Sequence, residues 1–251
     1  MTTGETTLST ETQPMWRLVL GIVDRPTATF KAVLARRQRL AWAVPVLIVL
    51  ACFVIMTVVS APYTLQLARE QALRQLDSMP PEQAEAARAS VETFTSLPVI
   101  LATGLGFGTL LFFLGLLAQA ALLYFGALVA GGEVNFGQVF TISAWTRLPF
   151  ALGFLAQAVF VGVSRRMILY PGLATLVATG DFTQDSRNPL VALLGRLDLF
   201  WLWHLLLVVA GLAVVARFSR SKSLVLTLVY AAVSLAAITL PSLLFGGAPA
   251  G

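Results

Sequence analysis

Few side chains in this sequence carry chemistry within apolar surroundings. Gln119, Gln157 and His204 fall well inside apolar runs, while Glu133, Asn135, Arg147 and Asp198 fall near the ends of such runs. A charged side chain at the centre of a bilayer costs about 3 kcal/mol on insertion scales, and such groups face a bundle interior or a wet cavity. The set therefore suits either hydrogen bonds between helices or a path for a proton or solute. For His204, beside Trp201 and Trp203 and about one turn from the end of its run, the simpler expectation is a bond to a carbonyl or glutamine on a neighbouring helix.

Catalytic groupings do not assemble from this composition. Intramembrane aspartyl chemistry needs two carboxylates below the surface, and Asp198 at a run's edge is the sole candidate. A His-Glu-x-x-His metal helix needs two histidines where the chain has one. Ser143, Ser164 or Ser234 beside His204 would make a nucleophile and base, but no Gly-x-Ser-x-Gly elbow presents any of them. The stretch Gly104-Leu105-Gly106-Phe107-Gly108 lacks the lysine of a phosphate loop and lies in an apolar run. Gly104 and Gly108 read better as a small-x-x-x-small pair that lets two helices approach. The single cysteine, Cys52, cannot form an internal bridge. No catalytic residue, cofactor, metal or nucleic-acid partner is expected.

The elements that must position these groups follow from composition. Of 251 residues, 57% are hydrophobic and 12% charged, and the mean hydropathy is +0.83. Soluble domains are about 45–50% apolar and about 25% charged, which leaves an integral membrane protein. Five stretches reach the roughly 20 residues that cross a bilayer: 41–62, 97–131, 144–163, 199–216 and 224–245. The second, at about 1.5 Å per residue, reaches roughly 50 Å and must tilt or project from the membrane. A shorter apolar run, 167–178, is broken by Pro171-Gly172 and suits an interfacial or re-entrant segment. The expected fold is an all-α polytopic bundle of five transmembrane helices over residues 15–245, between a disordered tail, 1–14, and a short tail, 246–251.

Charge sets the expected orientation. With the N-terminus inside, the inner segments hold ten basic residues (Arg17, Arg25, Lys31, Arg36, Arg37, Arg39, Arg147, Arg217, Arg220, Lys222) against four acidic ones, and the outer segments seven against eight. The basic excess marks the cytoplasmic side, with the C-terminus outside. Within 15–40, apolar residues at helical spacing (Trp16, Val19, Leu20, Val23) and the cations Lys31, Arg36 and Arg37 suit amphipathic helices on an anionic inner leaflet, or helices packed on the bundle. Residues 63–96 form the one sizeable polar insert. Leu65 to Asp77 and Glu82 to Phe94 read as two helices around Ser78-Met79-Pro80-Pro81, an outer hairpin that would dock a partner or simply prolong two spans.

The order of three stretches resembles the Yip (Ypt-interacting protein) membrane family. Pro26 and Phe30, after a short apolar helix, resemble that family's Pro-x-x-x-Phe element ahead of the first span. Phe136 through Pro149, Phe-Gly-Gln-Val-Phe-Thr-Ile-Ser-Ala-Trp-Thr-Arg-Leu-Pro, resembles the segment leading into the third span. Leu197-Asp198-Leu199-Phe200 with Trp203, then Gly211 and the basic turn from Arg217 to Lys222, is similar to the fourth span and its loop. The resemblance covers roughly 15–245, with 63–96 as an insertion. It implies five spans and a cytoplasmic N-terminal region. Eukaryotic members act in vesicle traffic with Rab-type GTPases, but their Asp-Leu-Tyr-Gly-Pro segment and a tyrosine near Ala144 are absent here. The resemblance is closer to the bacterial branch, some members of which accompany ABC-type exporters; 15 arginines to 2 lysines fit a GC-rich bacterial source.

The expected function is that of a non-enzymatic adapter or accessory subunit of another membrane complex in a bacterial cytoplasmic membrane, with the lipid bilayer and a membrane protein as partners. The rival is a stand-alone transporter, channel or lipid-moving protein that uses Gln119, Gln157 and His204 in one wet cavity. A homo-oligomer that shapes membranes is a third expectation.

Overall fold

The computed structural model describes residues 14–36 and 41–245; the two expected tails, apart from Pro14, and Arg37 lie outside them. Among the described residues there are helices and no strands. The helices are α1 (Met15–Asp24), α2 (Pro26–Ala35), α3 (Ala43–Asp77), α4 (Pro81–Phe94), α5 (Leu97–Val129), α6 (Phe136–Trp145), α7 (Leu148–Ser164), α8 (Phe182–Arg187), α9 (Pro189–Arg196), α10 (Leu199–Val215) and α11 (Arg220–Phe245). Four stretches are long and apolar enough to cross a membrane: Ala43–Asp77, Leu97–Val129, Phe136–Ser164 and Arg220–Leu240. A fifth is α9 with α10, bent by 63° at their junction. The expectation of an all-α membrane bundle is met, with four spans by this measure, or the expected five when the bent α9–α10 pair is counted as one.

The first span continues straight into the polar insert. Pro62 removes one backbone donor, yet α3 runs through it for 35 residues, about 52 Å. The far half of α3 and α4 make the hairpin, tied at its base where Arg69 Nε donates to the Thr95 carbonyl (3.1 Å). Gly104 and Gly108 of α5 lie against α3: a methyl group on Gly104 would touch Thr57, and one on Gly108 would collide with the Phe53 ring. Close approach at this pair is what the missing side chains permit.

The third span begins eight residues before the expected position and is broken near its middle. Polar residues hid its start, because Gln138, Thr141 and Ser143 lower the local hydropathy. The helix accepts them by local bonding, as where Thr141 Oγ1 donates to the Gly137 carbonyl (2.8 Å). Asn135 caps α6 by accepting from the Gly137 N–H (2.9 Å). Pro149 then lacks the N–H that would reach the Trp145 carbonyl, and its ring crowds that carbonyl, so α6 stops at Trp145 and α7 restarts at Leu148.

The largest buried cluster lies at the end of the bundle where α1 and α2 pack. Leu18, Ile22, Phe30 and Val33 from these short helices meet Leu123, Val139, Ile142, Trp145, Leu207 and Leu212. Trp145 Nε1 donates to the Ala41 carbonyl (3.0 Å), which fastens the α6–α7 break to the start of α3. At Gly211 the α10 backbone approaches α6 so closely that a methyl group would collide with Ile142. The run 167–178 forms no long helix: it holds a three-residue 3-10 turn, Ala174–Leu176, within irregular chain.

Candidate functional site

The break between α6 and α7 organises a chain of polar contacts through the bundle. The Phe150 N–H turns back to the Arg147 carbonyl (3.0 Å) rather than to Thr146. That tightening leaves the Thr146 carbonyl free within the helix. His204 Nδ1 fills it at 2.7 Å. A carbonyl can only accept, so Nδ1 carries the proton, and in the neutral ring Nε2 accepts from the Tyr230 hydroxyl at 3.1 Å. The imidazole is fully buried, with Phe150 at 5.0 Å and Tyr230 at 5.8 Å between ring centroids.

On the other side of the break, α5 supplies Gln119, also buried. Its Nε2 donates to Thr146 Oγ1 (3.0 Å), and its Oε1 accepts from Arg147 Nε (3.1 Å). Thr146 Oγ1 in turn donates to the Ser143 carbonyl (2.8 Å). Arg147, Gln119, Thr146, His204 and Tyr230 thus form one continuous series across α5, the α6–α7 break, α10 and α11.

Arg147 was counted with the inner segments, near the end of the run 144–163; it lies well inside the third span, because that span begins at Phe136. Its guanidinium sits 5.3 Å from the Phe112 ring centroid and against the bare face of Gly115. No carboxylate pairs with it among the described residues. An arginine so placed is a functional-site candidate by its cost alone.

Arg147 also lines a cavity of about 560 Å³. The helices leave this space open because α5 packs chiefly on α3, α6 and α11, while α7 packs on α3 and α10. Its wall is mainly apolar, with Phe53, Phe112, Phe154 and Ile238, and its polar members include Gln119, Gln157, Arg147, Arg196 and Asp198. Asp198 caps α10, with Oδ1 accepting from the Trp201 N–H (2.7 Å). Arg196, exposed at the end of α9, stands 5.8 Å from the Phe150 ring centroid.

Of the intramembrane residues named from sequence, the cavity therefore brings together Gln119, Gln157 and Asp198. His204 stands behind its wall. Sequence reasoning put Arg147 among the polar groups near run ends without singling it out as a contact, and it missed Arg196, Thr146 and Tyr230. A lone arginine two residues before a proline inside a long apolar stretch was the available signal for Arg147.

The N-terminal residues named for leaflet contact have two faces. Leu18 and Ile22 of α1 are buried, while Trp16, Leu20 and Val23 are exposed on the opposite side. Lys31 is exposed and Arg36 half-buried.

A second buried polar group lies outside the spans. The Asp185 carboxylate, 1% exposed, accepts from the Thr179 N–H (2.9 Å), Thr179 Oγ1 (3.0 Å) and the Gly180 N–H (3.0 Å). Burial alone pushes its pKa up, but these bonds and the neighbouring Tyr170 hydroxyl together hold it below the usual aspartate value. The same neighbourhood pushes Tyr170 up to about 12, first through the Asp185 side chain and then through burial. The Tyr170 hydroxyl stops short of a well-formed hydrogen bond to that carboxylate. The group has the form of a loop staple.

These features define a polytopic helical membrane protein whose third span is broken around a polar centre. The Yip1 domain family model matches residues 20–241. The chain belongs to the Yip1 domain family. No curated protein and no solved structure matches it.

Proposed function

We propose that the protein is a non-enzymatic accessory subunit of another membrane complex in a bacterial cytoplasmic membrane, an ABC-type exporter being the kind of complex that its resemblance to the bacterial branch suggests. In this reading the N-terminus is cytoplasmic and the α3–α4 hairpin is the outer docking element. With Arg147 removed from the inner loops, nine basic residues remain there against four acidic ones, so the charge argument for this orientation keeps its sign.

The observation that carries the reading is the hairpin itself. Helix α4 contributes no buried residue, and it is carried outward by a continuous α3 and tied at its base by Arg69. Leu73 and Phe94 are exposed on it, among five acidic and three basic residues. Such an element adds little to the bundle's own stability and offers a mixed apolar and acidic surface to a neighbour. Replacing residues 63–96 by a short Gly/Ser linker should leave insertion and folding intact and abolish recovery of a stoichiometric membrane partner in mild detergent. Unchanged recovery removes the hairpin from the docking role, and recovery of a self-complex alone turns the reading toward a homo-oligomer.

The rival, a stand-alone transporter or channel, asked for Gln119, Gln157 and His204 in one cavity. His204 is occupied on both ring nitrogens and lies outside the cavity lining, which favours the accessory reading.

A further inference from the structure

We propose that the cavity between α5, α7, α10 and α11 binds an anionic lipid, with its phosphate or carboxylate headgroup held by Arg147 and Arg196 and its acyl chains against the apolar wall. This site does not use the hairpin, so it stands or falls independently of the docking role.

The argument begins with unused donors. Arg147 spends one N–H, at Nε, on Gln119 Oε1. Among the described residues its two terminal amino groups make no hydrogen bond and no carboxylate lies within 4 Å of Arg147. The Gln119 bond fixes the plane of the guanidinium while leaving its outer fork free. That fork matches the oxygens of a phosphate or carboxylate two at a time. The group lies beside α5 at Gly115, where an added methyl would stand in ordinary contact with it, 3.5 Å from the nearer terminal nitrogen.

Arg196, over Phe150, adds a second cation with no carboxylate of the described residues within 4 Å. The one carboxylate lining the space is Asp198, whose Oδ1 is already taken by the Trp201 N–H at the start of α10. The cavity's formal charge is therefore positive, and its negative member faces a helix N-terminus that offsets it.

The wall chooses among anions. At about 560 Å³ the space is within the range of small-molecule sites. Its lining is dominated by groups such as Phe53, Leu111, Phe154 and Ile238. A small inorganic anion would leave that surface uncovered, whereas an amphiphile satisfies the two arginines and the apolar wall together. Leu111, Ala118, Ala237 and Ile238 line the space and remain exposed, so it is open rather than sealed.

The test is binding to delipidated protein in a neutral detergent, followed by thermal shift and native mass spectrometry. The probes are short-chain phosphatidylglycerol, phosphatidylcholine with the same chains, and inorganic phosphate. The expected result is saturable phosphatidylglycerol binding at least tenfold tighter than phosphatidylcholine, and no binding of inorganic phosphate in the same range. Arg147→Gln should weaken phosphatidylglycerol tenfold or more. Should Arg147→Gln fail to fold, two other variants carry the test: Arg196→Gln at the exposed rim should weaken phosphatidylglycerol several-fold, and Ala237→Phe, which narrows the space without changing charge, should weaken it likewise. Equal affinity for the two lipids overturns the proposal. So does inorganic phosphate that binds as tightly as the lipid, which marks a free-anion site, and so does binding indifferent to Ala237→Phe, which marks attraction to the basic surface.

Discussion

Truncating His204 to alanine should destabilise the bundle by about 2–5 kcal/mol. The ring is fully buried and bonded on both nitrogens, to the Thr146 carbonyl at 2.7 Å and to the Tyr230 hydroxyl at 3.1 Å. Hydrogen bonds between membrane helices average about 0.6 kcal/mol and reach about 1.7 kcal/mol, so the pair contributes about 1–3 kcal/mol. The vacated ring adds about 1–2 kcal/mol at about 24 cal/mol per Å³ of cavity that fails to collapse. Tyr230→Phe removes the outer bond alone and should cost about 0.6 kcal/mol. In the double variant that second loss should vanish, because Tyr230 has nothing left to bond. The assay is reversible unfolding in mixed micelles titrated with dodecyl sulfate, followed by tryptophan fluorescence, on the four members of the cycle. A His204→Ala effect below about 0.5 kcal/mol would refute the reasoning, as would full additivity with Tyr230→Phe, because either outcome means that the polar series does not join α10 to α11.

Gly211→Val should cost about 1–3 kcal/mol by overpacking against Ile142, with much of the loss recovered in an Ile142→Ala background in the same unfolding assay. Asn135→Ala should cost about 1 kcal/mol through loss of the α6 cap, read as a lower unfolding midpoint. The Asp185 staple has a defined pH window: its folded pKa is depressed, so its contribution is complete above the ordinary aspartate value near 3.8 and is lost as pH falls through the lower folded value. Protection of the Thr179 and Gly180 amides from exchange, taken relative to their intrinsic rates at each pH, should therefore hold from pH 7 to about pH 5 and fall only below about pH 4, while Asp185→Ala should lower it throughout. A fall already near pH 6 in the parent protein would contradict the assigned bonds.

How much of this was legible in the sequence depended on whether a feature was local. The spans at 97–131 and 199–216 lie within two residues of α5 and α10, because an apolar run long enough to cross a bilayer carries its own signal. The start of α6 was lost behind Gln138, Thr141 and Ser143, and the start of α11 behind Arg220 and Lys222, since polar residues at a helix end resemble a loop in hydropathy. Helix α9 was readable in principle: Asn188 before Pro189 is a cap followed by a first-turn proline, and Asn188 Oδ1 does accept from the Leu190 N–H (2.9 Å). The polar centre was not readable beyond its members. Gln119 is 28 residues from Arg147, and Thr146 is 58 from His204, so their meeting depends on which helix faces which. Arg147 in particular looked like a residue at the end of its span only because the helix before it had been missed.

The unbroken passage of α3 through Pro62 makes that helix a lever. From Pro62 to Asp77 it rises about 22 Å, so a tilt of roughly 5° moves the hairpin tip by about 2 Å. The same rigid rod carries Val49 and Phe53, about 12 Å or more along in the other direction, into the cavity wall. A displacement of about 1 Å there is enough to loosen or tighten contacts that fade over fractions of an ångström. Were α3 to tilt as one body, a neighbour on the tip would also change the width of the cavity, and an occupant of the cavity would change the angle at which the tip is offered. The two proposed surfaces would then be coupled, and by thermodynamic reciprocity whatever occupancy of one did to the affinity of the other would be returned in equal measure.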